Sequence, residues 1–331
     1  MREEQELLGI APFYAEPSRW GVTRYRLLGA GSAAPVEPLA RPGVERTVAA
    51  LFAGSLASAS PKADVISLDG VTRVPGWPRL LERAWPGRPP ARLVGLSMPW
   101  PRLSMSGRSS DEWLSTLSRS ARQSLRRHRR RLEDAGGHFQ IYGTYEETVR
   151  ALRRLAELHY ARWEARGGSR ALNPRLERML ADVAHDLHPG DRFRLGSIEI
   201  DDQPIACELF VSAGGAVAHW LGGFDETWAR HGPSKQVVLS LIEDAWRRGD
   251  STLELGPGGQ EHKDLFSAES GTLDWVDLVP RGPRSPLVRL RLAPKRLRQA
   301  GLETRHRLAQ RLSPEARKRA KAVLRKLGVR V

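Results

Sequence analysis

The sequence predicts an α/β protein in which an antiparallel meander is flanked by amphipathic helices. Three observations carry this. The runs RFRLGSIEI, IACELFV and AVAHWLGGF are strand-like and are separated by the turn residues Asp201-Asp202-Gln203-Pro204 and Ala213-Gly214-Gly215. Apolar residues recur at steps of three and four on both sides of the meander, the helical signature. The net charge of +15 is confined to the C-terminal end, so the body has the balance of a globular domain.

Taken in order, residues 1–110 form a first, small α/β unit. Gly and Pro punctuate it, one helical pattern covers 44–57, and short apolar runs lie at 64–68 and 93–96. The glycine loop GAGSAAP at 29–35 opens no strand–loop–helix unit and is not read as a phosphate loop. Residues 111–280 form the second unit. Trp113, Leu117, Ala121, Leu125, His128 and Leu132 make one stripe, which predicts a single helix from Asp111 stopped by Gly136-Gly137. A second helix carries Val149, Leu152, Leu155, Leu158, His159 and Trp163, and a third opens at Asn173-Pro174. After the meander, GPSKQVVLSLIEDAWRRG predicts a helix entered at Pro233-Ser234 and closed at Gly249. STLELG, QEHKDLFS and TLDWVDLV read as strand, short helix and last strand.

Residues 281–331 form a basic helical tail, with 17 Lys and Arg against Glu303 and Glu315, while the other 280 residues hold 36 charges of each sign. An argument from charge to a polyanionic partner is therefore an argument about the tail. Its leucines alternate with arginines at helical spacing, which suits an anionic membrane surface; a solubilising tail and an RNA-binding arm are the alternatives. One cysteine, Cys207, excludes an intramolecular disulfide and fits a reducing cytoplasm. MREEQELLGI is acidic and does not read as a secretory leader, and no apolar run approaches the ~18 residues of a spanning helix. The localisation expected is cytoplasmic, with peripheral attachment at the inner membrane face through the tail.

The element order from the meander onward, three strands, a helix after a Gly-Pro-Ser loop, a strand, a short helix and a last strand, is that of GNAT acyltransferases. Together with the arginine-rich helix and the stretch ELGPGGQEHKDLF, the chain resembles the CelD-like acetyltransferases, a FemABX-related branch of that superfamily. Arg162-Trp163 with Gly167, Gly232-Pro233-Ser234, and Glu254-Leu255-Gly256 followed by Gly259, Lys263 and Phe266 carry the resemblance. His262 stands where the family has Tyr, Leu265 where Arg is common, and Ser234 where Gly is usual. The resemblance implies a GNAT fold in two halves, the N-terminal one degenerate. It also implies acyl-CoA, probed first as acetyl-CoA, as co-substrate, and an amine or hydroxyl acceptor that is a small molecule or a glycan- or lipid-linked group of the cell envelope. The rival readings are aminoacyl transfer from charged tRNA and a non-catalytic binding protein in envelope assembly.

A pyrophosphate needs close backbone N–H donors and positive potential, which a loop feeding a helix N-terminus supplies; Gly232, Ser234, Lys235 and Gln236 stand there. Acyl transfer also needs a base and a group that steadies the oxyanion, for which the candidates are Glu208, His219 and Lys263. Glu208 lies on the strand face opposite Cys207 and Leu209, so it is either used or turned to solvent. Lys263 is either a cation near the reacting carbonyl or a salt-bridge partner of Glu254 or Asp264. Arg126, Trp163, Asp225, Glu254 and His262 are the acceptor-binding candidates, with strand termination the alternative for Asp225. The arginine-rich helix is either a solvated face or an anion-binding one; lacking aromatic residues for base stacking, it does not read as a nucleic-acid grip. The nine histidines show no metal-ligand spacing, and no Gly-x-Ser-x-Gly elbow is present.

Overall fold

The computed structural model describes residues 2–3, 6–17, 21–164, 167–169, 171–258 and 261–294, and for Arg2, Glu3, Pro17, Glu261, His262 and Asp264 the backbone alone. Two compact units are formed by residues 1–98 with 272–331 and by residues 99–271. The sequence placed the divisions at 110/111 and 280/281. The structure makes the first unit discontinuous, because the last strand returns to it.

The first unit begins with β1 (Phe13–Pro17), β2 (Thr23–Leu27), α1 (Glu45–Ala57), β3 (Val65–Thr72), α2 (Trp77–Arg83) and the first part of β4 (Ala91–Ser104). Val48, Ala49, Phe52, Ala53 and Leu56 put a fully apolar stripe of α1 onto Ile66, Leu68 and Val71 of β3. The helix expected over 44–57 is thus present, held by that packing.

The second unit continues with α3 (Ser110–Thr116), α4 (Arg119–Asp134), β5 (His138–Ile141), α5 (Tyr145–Glu164), α6 (Pro174–Leu187), β6 (Phe193–Ile200), β7 (Gln203–Ala213) and β8 (Ala216–Phe224). It closes with α7 (Pro233–Arg247), β9 (Thr252–Glu254), α8 (Glu261–Phe266) and the start of β10 (Glu269–Val279). Its strands are ordered β4-β9-β8-β7-β6-β5. The meander β6-β7-β8 is antiparallel, as its turns predict, and β9 joins β8 in parallel. Helices α3, α4 and α7 cover one face through Trp113, Leu125, Leu132, Val237, Leu241 and Ile242. Helices α5 and α6 cover the other through Leu152, Leu155, Leu158, Leu180 and Ala184.

The single helix expected from Asp111 is two. Leu117 and Ser118 are extended, with ψ of 152° and 149°, and the Ser118 hydroxyl accepts the Ala121 amide, so the chain stops and caps a new helix. The apolar stripe survives the break because both helices lie on the same core. Periodicity alone did not register the serine.

The first unit is completed by β10, which pairs with β3, in the order β1-β2-β3-β10-β4. Residues 285–294 are helical, and Val288 and Leu292 are buried with Val22, Val65, Ala91, Leu93 and Val279. The tail expected to start at 281 therefore begins as core: Arg284 lies 3.3 Å from Asp64, and the apolar spacing at 288 and 292 serves packing. The tail beyond Pro294, where the membrane reading rests, lies outside the described residues.

Chain truncation separates these roles. A chain ending at Pro280 strips the cover from Val65, Leu93 and Val279 and should lower the urea midpoint of unfolding, whereas one ending at Pro294 should not. Leu292→Ala alone should cost about 2–3 kcal/mol in the same measurement.

Candidate functional site

Strands β8 and β9 are paired over three residues only, Ala216–Ala218 with Thr252–Glu254. Strand β8 then runs on for six residues to Phe224, whereas β9 ends at Glu254 and the chain turns off at Gly256, φ +71°. The two parallel strands part, leaving the edge of β8 from His219 onward without β9. At the same level the β7–β8 register slips: Leu209 pairs with Leu221 and Phe210 with His219, so Trp220 is an extra residue on β8. A bulge of this kind re-aims the side chains beside it and bends the strand.

Glu208, in the middle of β7, is 1% exposed. It is not turned to solvent: its face of the sheet is the one that α7 covers. Oε2 accepts from His219 Nε2 at 2.7 Å and Oε1 accepts from the Ser234 hydroxyl at 2.5 Å. A buried carboxylate is tolerable only when hydrogen-bonded, and both oxygens are. Its position under the first turn of α7 adds the favourable end of a helix dipole. Room for the carboxylate comes from Gly222, which is directly opposite Glu208 in the ladder; a Cβ there would lie 1.8 Å from Oε2. The second glycine, Gly223, lets α5 close in, since its Cβ would meet the His159 amide at 2.7 Å. Cys207 faces the opposite side, fully buried, and burial pushes its thiol up, so it is no nucleophile.

Gly232 caps α7 in the left-handed conformation, φ +58°, which carries the chain from the turn at Glu226–His231 into Pro233. The first-turn amides of α7 have no intrahelical acceptors, as at any helix start. Cations gather beside them. His128 of α4 would lie 3.3 Å from a Cβ on Gly232. Its proton affinity is lowered by partial burial and by the charges of Arg127, Lys235, Arg131 and His231. The arginine-rich helix thus turns part of its basic face toward the start of α7. His128, read from the sequence as part of the apolar stripe, sits at this junction.

The other expected site residues are placed as follows. Lys235 is exposed beside His128. Gln236 is buried and its Nε2 donates 3.1 Å to the Leu125 carbonyl, so its side chain ties α7 to α4. Asp225 caps the turn that follows β8 by accepting from the Thr227 amide and hydroxyl, the structural alternative for it. Trp163 is half-exposed at the end of α5 and packs on His159, whose Nδ1 donates to the Gly222 carbonyl. Arg126 is exposed on α4, and Glu254 lies in register between Ala218 and Arg102. Lys263 is buried and donates to the Gly256 and Pro257 carbonyls at 3.3 and 2.9 Å, which fixes the turn after β9; burial lowers its pKa to about 8. The His262 side chain lies outside the described residues.

The structure thus joins Glu208, His219 and Ser234 directly, and sets Gly232 and Lys235 beside them on α7. Gly222 was missed, though two glycines in the middle of a strand do signal close approach of something bulky. Among the described residues no group of three or more His, Cys, Asp or Glu side chains is arranged to hold a metal, and no helix is long and apolar enough to cross a membrane.

Residues 119–264 match the family described as acetyltransferase (GNAT) domain. In structure the chain is similar to FemX, with 13% identity, a TM-score of 0.61 and 88% of each chain covered. It is also similar to the C-terminal domain of a putative lysylphosphatidylglycerol synthetase from Agrobacterium fabrum, at 11% identity and TM-score 0.54, covering 85% of this chain and 87% of that one. A third similar structure is L-PGS from Bacillus licheniformis, at 13% identity and TM-score 0.50, covering 86% and 89%. No curated protein sequence matches the chain. At such identities these likenesses establish a shared fold.

Two variants probe the geometry. Gly222→Ala should displace the Glu208 carboxylate and lower the unfolding midpoint far more than Ala at exposed Gly143, where a Cβ meets nothing, would. Lys263 carries a pKa below its unfolded value, so the unfolded chain binds the extra proton between pH ~8 and ~10.5 and this residue adds stability as pH rises through that window. Lys263→Met should remove that rise, measured as the difference between the two pH–stability curves; parallel curves would refute the burial of the ammonium.

Proposed function

Since the chain carries a GNAT acetyltransferase domain over residues 119–264 within a FemX-like, FemABX-related fold, we propose that it transfers an acyl group from acyl-CoA to an amine or hydroxyl of an envelope-type acceptor. The observation that carries this reading is the Ser234–Glu208–His219 chain at the point where β8 leaves β9. A cleft between two parting parallel strands admits a narrow thioester arm. The amides of α7 and the cations Lys235, Arg127 and Arg131 suit the phosphates at the other end of a coenzyme A.

In this reading His219 is the base. Glu208 Oε2 accepts the Nε2 proton, which leaves the lone pair on Nδ1. The acceptor's N–H or O–H gives its proton to Nδ1 as its heteroatom attacks the thioester carbonyl. The tetrahedral oxyanion collapses, the C–S bond breaks, and the thiolate leaves protonated from the imidazolium. Glu208 holds the ring and steadies its charge; Ser234 holds Glu208. Gln236 and Asp225 take structural places. Lys263 keeps the cleft's second wall in shape through the Gly256-Pro257 turn.

Gly232→Val does not test the donor site cleanly, because a β-branched residue at φ +58° is strained by itself. Glu208→Gln is the better variant. The amide still accepts from Ser234, but its NH2 donates to Nε2, moving the imidazole proton to Nδ1 and blocking the base. Turnover should fall at least ~100-fold while the thermal shift given by acetyl-CoA is kept; misplacing a catalytic imidazole's proton costs that much or more in a known hydrolase. Wild-type protein at a hundredfold excess of acetyl-CoA over its Kd should be stabilised by about 2.7 kcal/mol. Stabilisation by charged tRNA with none by any acyl-CoA would replace acyl transfer by aminoacyl transfer. Stabilisation by neither would leave a binding protein.

A further inference from the structure

The first unit holds a cavity of about 330 Å3 lined by its own residues, among them Arg73, Arg79, Arg92, Val94, Asp274 and Val276. It exists because α2 is short. Its buried Trp77 and Leu81 cover β3 and β10 but stop before β4. On β4, Ala91 and Leu93 are buried toward one face, while Arg92 and Val94 on the other are exposed. Val94 is 44% exposed and gives the cavity an apolar wall. Val276, in register with buried Leu68, brings apolar surface to the same cavity.

Three arginines line this surface, and two are engaged by carboxylates, of which Asp274 lines the cavity as well. Asp274 grips Arg73 through Nε and Nη2 at 3.0 and 3.1 Å, and is itself fixed by the Ser97 hydroxyl at 2.6 Å. Glu82 takes the Nε edge of Arg92 at 3.1 Å, which leaves both terminal nitrogens of that fork for another acceptor. Arg79 has no carboxylate partner among the described residues. Asp274 and Glu82 engage Arg73 and Arg92, and Glu37 is held by Thr72 of the same lining, so the donors offered to a ligand are those of Arg79 and the terminal nitrogens of Arg92. A guanidinium oriented by a carboxylate on one edge presents its remaining N–H groups as a preformed fork for oxyanions.

We propose that this cavity binds a small organic anion, an oxyanion head of the phosphate or carboxylate kind on a short apolar stem. The head is taken by Arg79 and Arg92, with Arg73 alongside, and the stem lies on Val94 and Val276. A volume near 330 Å3 falls at the lower end of ligand pockets, about 300–1,000 Å3, which limits the occupant to metabolite size. The site belongs to the first unit and does not depend on the acyl-transfer reading.

The test is calorimetric titration of the full chain, at one fixed low salt concentration, with sn-glycerol 3-phosphate and separately with butanoate. The wild type should saturate with at least one of them, and which one identifies the head group. Arg79→Gln/Arg92→Gln should weaken that binding roughly tenfold or more, the scale of losing charge-assisted hydrogen bonds, while thermal unfolding and the acetyl-CoA shift stay as in the wild type. Both proteins carry the same basic residues beyond 294, so only the difference between them counts. Failure of both probes to saturate, or equal affinity in the double variant, would overturn the proposal. Loss of acetyl-CoA binding in the wild type would bear on the acyl-transfer site instead.

Discussion

Glu208 is a buried carboxylate in the middle of a sheet, and the placing of β8 and α7 against β7 is tied to keeping it satisfied. One oxygen requires a donor from β8 and the other a donor from α7, so the strand and the helix that follows it are fixed relative to β7 by the same group. Its bulk requires a glycine opposite, and Gly222 is there. Hydrogen bonds to a buried charge are worth about 1.5–3 kcal/mol each, and leaving either oxygen bare would cost more than the bond it lost. Ser234, which stands where a glycine is usual in the resembling family, has a physical reason: its hydroxyl is one of the two donors.

This accounts for what the sequence could and could not reveal. The strands of the meander and the helices were legible because their periods, two and three to four, are imposed by burial that every residue in the element shares. The division of the helix at Ser118 was not, because a cap depends on one hydroxyl and leaves the apolar stripe intact. Glu208 and His219 could be named as candidates from their apolar setting, but their union could not. They lie eleven residues apart, and what brings them face to face is a one-residue slip at Trp220 that no pattern of hydrophobicity encodes. The same limit applies to Val288 and Leu292: a leucine in a basic run has the same spacing whether it meets lipid or a protein core.

The arginine-rich helix is neither purely a solvated face nor purely a binding one. Leu125 and Leu132 seat α4 on the core, Arg129 is engaged with Glu243 and Ser240, and Arg122 closes the preceding turn through the Ser115 and Leu117 carbonyls. Those contacts fix the roll of the helix. Once it is fixed, His128 lies where Arg127, Lys235, Arg131 and His231 all act on it, and partial burial first and their positive charges second lower its proton affinity. In the proposed acyl-CoA reading, an anion at the start of α7 would relieve that crowding of positive charge, so the packing that seats α4 would also serve the donor phosphates.

Lys263, expected from the sequence near the reacting carbonyl, is found bracing the turn that ends β9. Its ammonium is spent on two carbonyls of the turn that ends β9, in a setting dry enough to lower its pKa to about 8. Shortening that side chain would remove one of the ties on the Gly256-Pro257 turn, leaving the Leu255 and Gly258 amides to hold it to the Pro101 and Pro99 carbonyls of β4. The gap is bordered on β8 by the bulge at Trp220, and on the other side by a segment that the Leu255 and Gly258 amides tie to the Pro101 and Pro99 carbonyls of β4 and that Lys263 braces from within. The gap beside β8 is thus bounded by a bulge on one side and by backbone pairing and a buried charge on the other, and in the proposed mechanism a substitution at Lys263 should change access to His219 before it changes the chemistry of that imidazole.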